Sequence, residues 1–396
     1  MIFEKTELGT IKLNNRVFRS ATHEGLADNN GYPTEKLIKR YETLAKNEIG
    51  CIITGFAGIM LNGKSAYHNM LMINDDSFIE SYKKLTNRIH NYDTSIILQI
   101  AHCGRQTRSC VTGFQTVAPS AIKDKSFRED RPKELSEKEI FEIIDSFVKG
   151  IVRAKEAGFD GVQLHLAHGY LLAQFLSSYT NRRTDKWGGS IENKFRIIQK
   201  IFDEAKPLVG NYPIIVKLNA NDGRKNGMRI KEAVQIAKML ERAGCAGIEV
   251  SCGVYEDGLF TLRGDKLPLD AVFKYSFAYK SLPKFAKGIA KVIVPLITTK
   301  IKPYENYNVD YAGEIKKNVN IPVIVVGGIK TLDSINSILD EKKADFVSIC
   351  RALIAEPNLI KKFHAGIQNE SKCIDCNYCM IASEEKPLKC YRGRLN

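Results

Sequence analysis

The constraint that dominates this chain is an alternation. Eight short runs rich in β-branched and apolar residues recur along it: RVFRSA (16–21), GCIITGF (50–56), SIILQIA (95–101), GVQLHL (161–166), PIIVKLN (213–219), GIEVSC (247–252), PVIVVGG (322–328) and FVSICR (346–351). Each is bounded by glycine, proline or polar residues, as strands buried on both faces are. Longer amphipathic stretches lie between them. SEKEIFEIIDSFVKGIVRAKEAG opens on Ser136 with Glu139 three positions on, a capping-box signature, and stops at Gly158; IKEAVQIAKMLERAG stops at Gly244. Eight strand–helix units predict an α/β fold, a (β/α)8 TIM barrel, over residues 1–370. A doubly wound sheet needs fewer strands, and no G-x-G-x-x-G follows any of them.

Three pieces stand outside the alternation. FEKTELGTIKLNNR is expected to form a hairpin closing the barrel floor. Residues 258–307 are a long insertion after strand six, which places them on the functional face as a lid. Residues 371–396 form a short cysteine-rich tail.

Composition narrows the class. Hydrophobic residues at 44% and charged residues at 26% describe an ordinary globular protein. A formal net charge of +14 favours anionic ligands such as phosphates. The basic residues are spread rather than blocked, so no nucleic acid is expected as a partner. The start, MIFEKTELGT, lacks a signal-peptide core, and no apolar run is long enough for a transmembrane segment. Ten cysteines without an export signal predict reduced thiols and a cytoplasmic setting.

In such a barrel the chemistry sits at the carboxyl ends of the strands. Gly327-Gly328 after strand seven and Cys350-Arg351 after strand eight together suggest a phosphate cradle of bare backbone N–H groups and one guanidinium. Either pair alone reads as an ordinary turn. The stretch HLAHGYLLAQF (165–175) puts His165, His168 and Tyr170 in an apolar setting. A metal site there would want a third ligand and an H-E-x-x-H pattern, which is missing. Two satisfied core histidines, or a grip on a substrate oxygen, are the readings left.

LQIAHCGRQT, VAPSAI, PVIVVGG and the long block AKEAGFDGVQLHLAHGYLLAQFLSSYTNRRTDKWGGSIENKFR resemble the old yellow enzyme family of FMN-dependent ene-reductases, nearest its bacterial branch with the 2,4-dienoyl-CoA reductases. The resemblance covers roughly residues 1–365. It implies a barrel holding FMN at its mouth, with NAD(P)H as hydride donor. Ser20, Ala21 and Thr22 would meet the flavin ring, beside Phe56, and Gln99 its pyrimidine edge. Lys217, where most relatives have arginine, would face the flavin N1 and C2 carbonyl, where reduced flavin carries negative charge. Gly327, Gly328, Cys350 and Arg351 would hold the phosphate, Cys350 replacing the usual glycine. His165 and His168 would polarise the carbonyl oxygen of an α,β-unsaturated substrate, and Tyr170 would protonate the α-carbon. His23 and Tyr255 would line the substrate side, Tyr255 lying nearest the position of that branch's second acid, a histidine. Arg182, Arg183, Asp185, Trp187 and Gly188-Gly189 belong to the signature as a loop pinned by ion pairs and packing.

The tail spaces Cys373-x2-Cys376-x2-Cys379-x10-Cys390, which suits an iron–sulfur cluster or a tetrahedral zinc. The dienoyl-CoA reductase branch carries a [4Fe–4S] cluster here, fed by further C-terminal domains that this sequence does not include. The expectation is therefore a separate redox partner, a structural cluster, or direct reduction of FMN by NAD(P)H. The insertion carries Lys274, Lys280, Lys284, Lys287, Lys291, Lys300 and Lys302 among apolar residues. Its preferred reading is an amphipathic helix packed on the barrel with a solvated lysine face. A substrate lid, or a basic surface for a membrane or an acidic partner, are the alternatives.

The function expected is reduction of the activated C=C bond of a small-molecule enone or enoate, by a chain that also admits a homo-oligomer. Competing expectations are a flavin-dependent dehydrogenase or demethylase of amines or steroids, and an electron-transfer subunit of a larger redox complex.

Overall fold

A computed structural model describes residues 1–127, 129, 131–264, 267–277, 279–298 and 305–392, the side chains of 258–259 and 296–298 excepted. Lys300 and Lys302 of the insertion, and residues 393–396 of the tail, lie outside the described residues. The eight apolar runs become eight parallel strands: β1 (Val17–Arg19), β2 (Cys51–Ile53), β3 (Ser95–Ala101), β4 (Gly161–Leu166), β5 (Ile214–Asn219), β6 (Gly247–Ser251), β7 (Val323–Val326) and β8 (Phe346–Ile349). They pair in sequence order, β8 pairs back on β1, and β3 on β4, so the sheet closes into a (β/α)8 barrel. Nearly every strand residue is buried, because side chains facing outward meet helices and those facing inward meet each other.

The outer ring comprises α1 (Glu35–Ala45), α2 (Phe78–His90), α3 (Glu137–Glu156), α4 (Ile191–Val209), α5 (Ile230–Arg242), α6 (Val309–Lys316), α7 (Leu332–Asp340) and α8 (Leu359–His364). Helix α3 starts where its sequence dictates: the Ser136 hydroxyl accepts from the Glu139 N–H, and the Glu139 carboxylate accepts from the Ser136 N–H. It ends before Gly158, whose φ of +80° reverses the chain.

At the amino-terminal end of the barrel, Thr6–Leu8 and Ile11–Leu13 form the expected antiparallel hairpin. Its Leu8, Ile11 and Leu13 enter the barrel to pack with Phe18, Cys51, Ile53, Ile97, Ile215, Ile324 and Phe346. This apolar plug fills the floor and leaves polar chemistry to the mouth. Strand register then sets the polar level, since Gln163 lies opposite Gln99, and Lys217 opposite both His165 and Glu249.

The insertion forms Leu269–Tyr275 and a longer helix, Lys284–Thr298. The tail crosses back over the mouth, with a short helix at Tyr378–Ala382 whose Ala382 packs on Ala271, Tyr275 and Tyr391.

Candidate active site at the barrel mouth

One cavity of about 570 Å³ opens at the carboxyl ends of the strands. It lies within the range of pre-formed small-molecule sites. Every flavin-side and substrate-side residue expected from the sequence lines it: Ser20, Ala21, Thr22, His23, Phe56, Gln99, His165, His168, Tyr170, Lys217, Tyr255, Gly327, Gly328, Cys350 and Arg351.

A buried polar ladder crosses its floor. Gln99 Nε2 donates to Gln163 Oε1 at 2.7 Å, and Gln163 Nε2 donates to Glu249 Oε2 at 2.8 Å. Glu249 accepts from Ser20 Oγ at 2.7 Å and pairs with Lys217 Nζ at 3.2 Å, while Lys217 also donates to Ser20 Oγ at 2.9 Å. Burial pushes the Glu249 carboxyl up, but Lys217 and the hydrogen bonds from Ser20 and Gln163 outweigh it and hold the group below its usual range. Glu249 therefore stays ionised and anchors the ammonium in place. Sequence reasoning missed both Gln163 and Glu249. A glutamate inside the apolar run GIEVSC was the available signal, because an unpaired carboxylate is rarely buried there.

The second end is aromatic and imidazole-rich. His165 and His168 rings stand edge to face at 5.1 Å, and His165 meets Tyr170 at 4.8 Å. Phe56 closes on Tyr170 at 5.2 Å. His165 sits at the end of β4; His168, at φ +60°, lies in the turn that follows and holds Ser251 Oγ at 2.8 Å. Burial lowers both imidazole pKa values, His168 to about 3, and each is further depressed by the nearby Lys217 charge. Both rings are thus neutral near pH 7. Because the Ala167 N–H donates to His165 Nδ1 at 3.3 Å, the proton of that ring is assigned to Nε2. Burial likewise raises the Tyr170 phenol well above its ordinary value, keeping it protonated.

At the third corner the backbone carries the argument. Gly328 has φ +70° and Gly327 φ +153°, and a Cβ on Gly327 would come within 2.8 Å of Asn308 Nδ2. Arg351, at the start of the turn after β8, is buried. Its guanidinium pairs with Asp375 at 3.1 Å and donates to Asn377 Oδ1 at 2.7 Å and the Arg263 carbonyl at 2.6 Å. Thr22 Oγ1 lies 3.0 Å from Cys350 Sγ.

The tail contributes what the sequence reading did not foresee. Glu384 is 6% exposed and lines the cavity; Tyr255 Oη donates to its Oε1 at 3.0 Å and the Phe277 N–H donates to its Oε2 at 3.0 Å. Burial raises its carboxyl to about 7. Cys379 is buried, Cys373 and Cys376 are half-buried, and Cys390 is exposed. Among the described residues, no three Cys, His, Asp or Glu side chains are gathered so as to hold a metal ion. As placed, the four tail thiols do not make a ligand set. The signature loop does behave structurally. Arg183 grips Asp185 through Nε at 3.0 Å and Nη2 at 2.6 Å, and Trp187 is buried.

The donor set fits FMN by its chemistry. An amide (Gln99), an ammonium (Lys217), a glycine pair (Gly327, Gly328) and a guanidinium (Arg351) line the one cavity. Comparison with known proteins agrees. The model of the NADH:flavin oxidoreductase / NADH oxidase family matches residues 1–255, and the chain belongs to that family of flavin-dependent oxidoreductases. Residues 286–388 also match the dihydrouridine synthase model. The chain is 36% identical over 379 residues to an NADH oxidase of Thermoanaerobacter brockii, covering 95% of this chain and 52% of that protein. It is 32% identical to a metal reductase of Desulforamulus reducens, covering 98% of this chain and 53% of that one. It therefore spans about half the length of these two relatives. Among solved structures, 2-naphthoyl-CoA reductase in complex with 2-naphthoyl-CoA superposes with a TM-score of 0.83 at 24% identity, over 98% of this chain and 56% of that one. That likeness shows the fold.

Proposed function

We propose that this chain binds FMN at the barrel mouth and reduces the activated C=C bond of an α,β-unsaturated carbonyl compound, with NADH or NADPH as the reductant. The carrying observation is the convergence of two neutral imidazoles and a protonated phenol at one end of the cavity. Bound FMN, once reduced, supplies the hydride that the β-carbon accepts. The protein does the rest. His165 Nε2–H and His168 hold the substrate oxygen and stabilise the negative charge that builds on it; each such donor is worth on the order of 3 kcal/mol. Tyr170 gives the proton to the α-carbon. Lys217, held by Glu249, would face the negatively charged edge of reduced flavin, and Gly327, Gly328, Cys350 and Arg351 would hold its phosphate. Tyr255, held by Glu384, lines the substrate side. Apolar Val272, Phe273, Leu282, Val294 and Met380 widen the cavity beyond the imidazoles, which suits a bulky, lipophilic enone.

The same reading makes residues 1–370 the catalytic barrel and residues 371–396 a Cys-rich tail, whose described part, 371–392, roofs it. A [4Fe–4S] cluster or zinc on the tail would require its four thiols to draw together. Iron, sulfide and zinc analysis of anaerobically isolated protein tests that, and no step here depends on it. The reaction is tested in two half-reactions. NADH or NADPH should bleach the flavin band of the purified protein, and cyclohexenone should restore it. His165→Ala with His168→Ala should slow the restoring step by at least about a hundred- to a thousandfold, the cost of a single such donor, while flavin stays bound. An unchanged rate in that variant removes the proposed grip, and a protein that binds no flavin removes the whole reading.

A further inference from the structure

The insertion helix Lys284–Thr298 presents the wrong face to water. Phe285 is 73% exposed, Ile289 56%, Val292 68% and Ile293 50%. Their spacing, i, i+4, i+7 and i+8, gathers them on one stripe. The opposite stripe faces inward, where Ala290 and Val294 line the cavity. The expected solvated lysines are present, but Phe285, Ile289, Val292 and Ile293 face outward with them instead of packing on the barrel. The helix is a wall between cavity and exterior, apolar on both sides.

Charge identifies what covers the outer side. From Ala271 through Tyr304 the sequence carries seven lysines and no aspartate or glutamate. Lys284 and Lys291 are exposed along one edge of the apolar stripe. Lys287 is half-buried and ties the helix down by donating to the Lys280 carbonyl at 2.7 Å, and Lys280 itself pairs with Glu385 of the tail. A contiguous exposed apolar patch marks an interaction surface. A symmetric contact between two copies would set lysine-edged faces against each other. A merely acidic partner would neutralise the lysines but leave the aromatic and branched side chains wet. An anionic bilayer satisfies both: apolar side chains enter the headgroup–acyl boundary while the ammonium groups remain at phosphate level. Among the described residues no helix is long and apolar enough to cross a membrane, so the contact is a surface one.

We propose that the insertion helix docks this protein, through Phe285, Ile289, Val292 and Ile293 and the flanking Lys284 and Lys291, onto an anionic lipid surface. Docking stands independently of the reaction. Only its consequence, that a lipophilic substrate reaches the cavity from the bilayer past Ala290 and Val294, rests on the function proposed above.

The full chain, loaded with FMN, is sedimented with vesicles of phosphatidylglycerol and phosphatidylethanolamine in equal parts, and with vesicles of phosphatidylcholine alone. Binding to the first, weakening with added salt and absent from the second, is the expected result. The triple variant Phe285→Ser, Ile289→Ser, Val292→Ser should lose about tenfold or more of that binding. Lys284→Glu with Lys291→Glu should lose it as well. Both variants should keep the wild-type melting temperature and reaction with cyclohexenone in solution, because none of these side chains lines the cavity. Failure to sediment with the anionic vesicles overturns docking even if enone reduction is intact. So does equal binding to both lipids, or a dimer in analytical ultracentrifugation that the triple variant dissociates without vesicles present. Vesicle binding by a protein that leaves cyclohexenone untouched would uphold docking and remove the reaction instead.

Discussion

Glu384 holds its proton to about pH 7, against an ordinary value of 4.5, because burial penalises the carboxylate more than the hydrogen bonds from the Phe277 N–H and Tyr255 stabilise it. The groups facing it are Tyr255, Ser276 and the Phe277 N–H, which hydrogen-bond it, Glu385 beside it, and Tyr67 and His68 from the barrel loops. The folded state binds this proton more tightly than the unfolded chain, so its stabilising contribution is complete below pH 4.5 and is lost as pH rises through about 7. The separation corresponds to about 3 kcal/mol at most. Glu384→Gln should flatten that slope: the wild type should lose more melting temperature between pH 5 and pH 8 than the variant does. Equal slopes would mean the carboxyl is solvated. In the sequence Glu384 stands in ASEEKP, where it reads as one more surface acid. Its burial comes from the tail folding back across the mouth, a long-range contact that no local pattern encodes. His165, His168 and Tyr170 were legible for the opposite reason, since three polar rings in an apolar run need a common purpose.

Elements divide by how they bury their surface. The eight strands could be read to within three residues because each is covered on both faces, and that demands a mostly apolar run. The capping box of α3 was equally plain. The insertion helix was recognisable as a helix, yet which stripe faces outward was not. Periodicity records that two faces differ, not which one the rest of the fold covers. The tail was read from its cysteines alone, while Asp375, Asn377 and Glu384, which make its contacts with the barrel, carried no spacing signal. The floor hairpin supplies an element-level prediction. Leu8 is fully buried in the plug, so Leu8→Ala should cost about 2–5 kcal/mol of stability. Turnover per folded molecule should hold, because the plug lies at the end of the barrel remote from the cavity. A variant that loses turnover without losing stability would contradict this division of labour.

For the molecule as a whole, the barrel separates an apolar floor from a polar mouth, and the excess of positive charge favours an anionic occupant there. FMN added at a hundred times its dissociation constant should raise the stability of the flavin-free protein by about 2.7 kcal/mol, seen as a melting point several degrees higher. Riboflavin, which lacks the phosphate, should give a smaller rise, and an identical rise would show that Arg351 and the glycine pair do not grip that group.

The tail is tied to Arg351 through Asp375 and to Tyr255 through Glu384. On the function proposed above, a cut in this segment would disturb the expected phosphate arm and the substrate-side phenol together, so nicked protein should lose flavin retention and enone turnover in parallel.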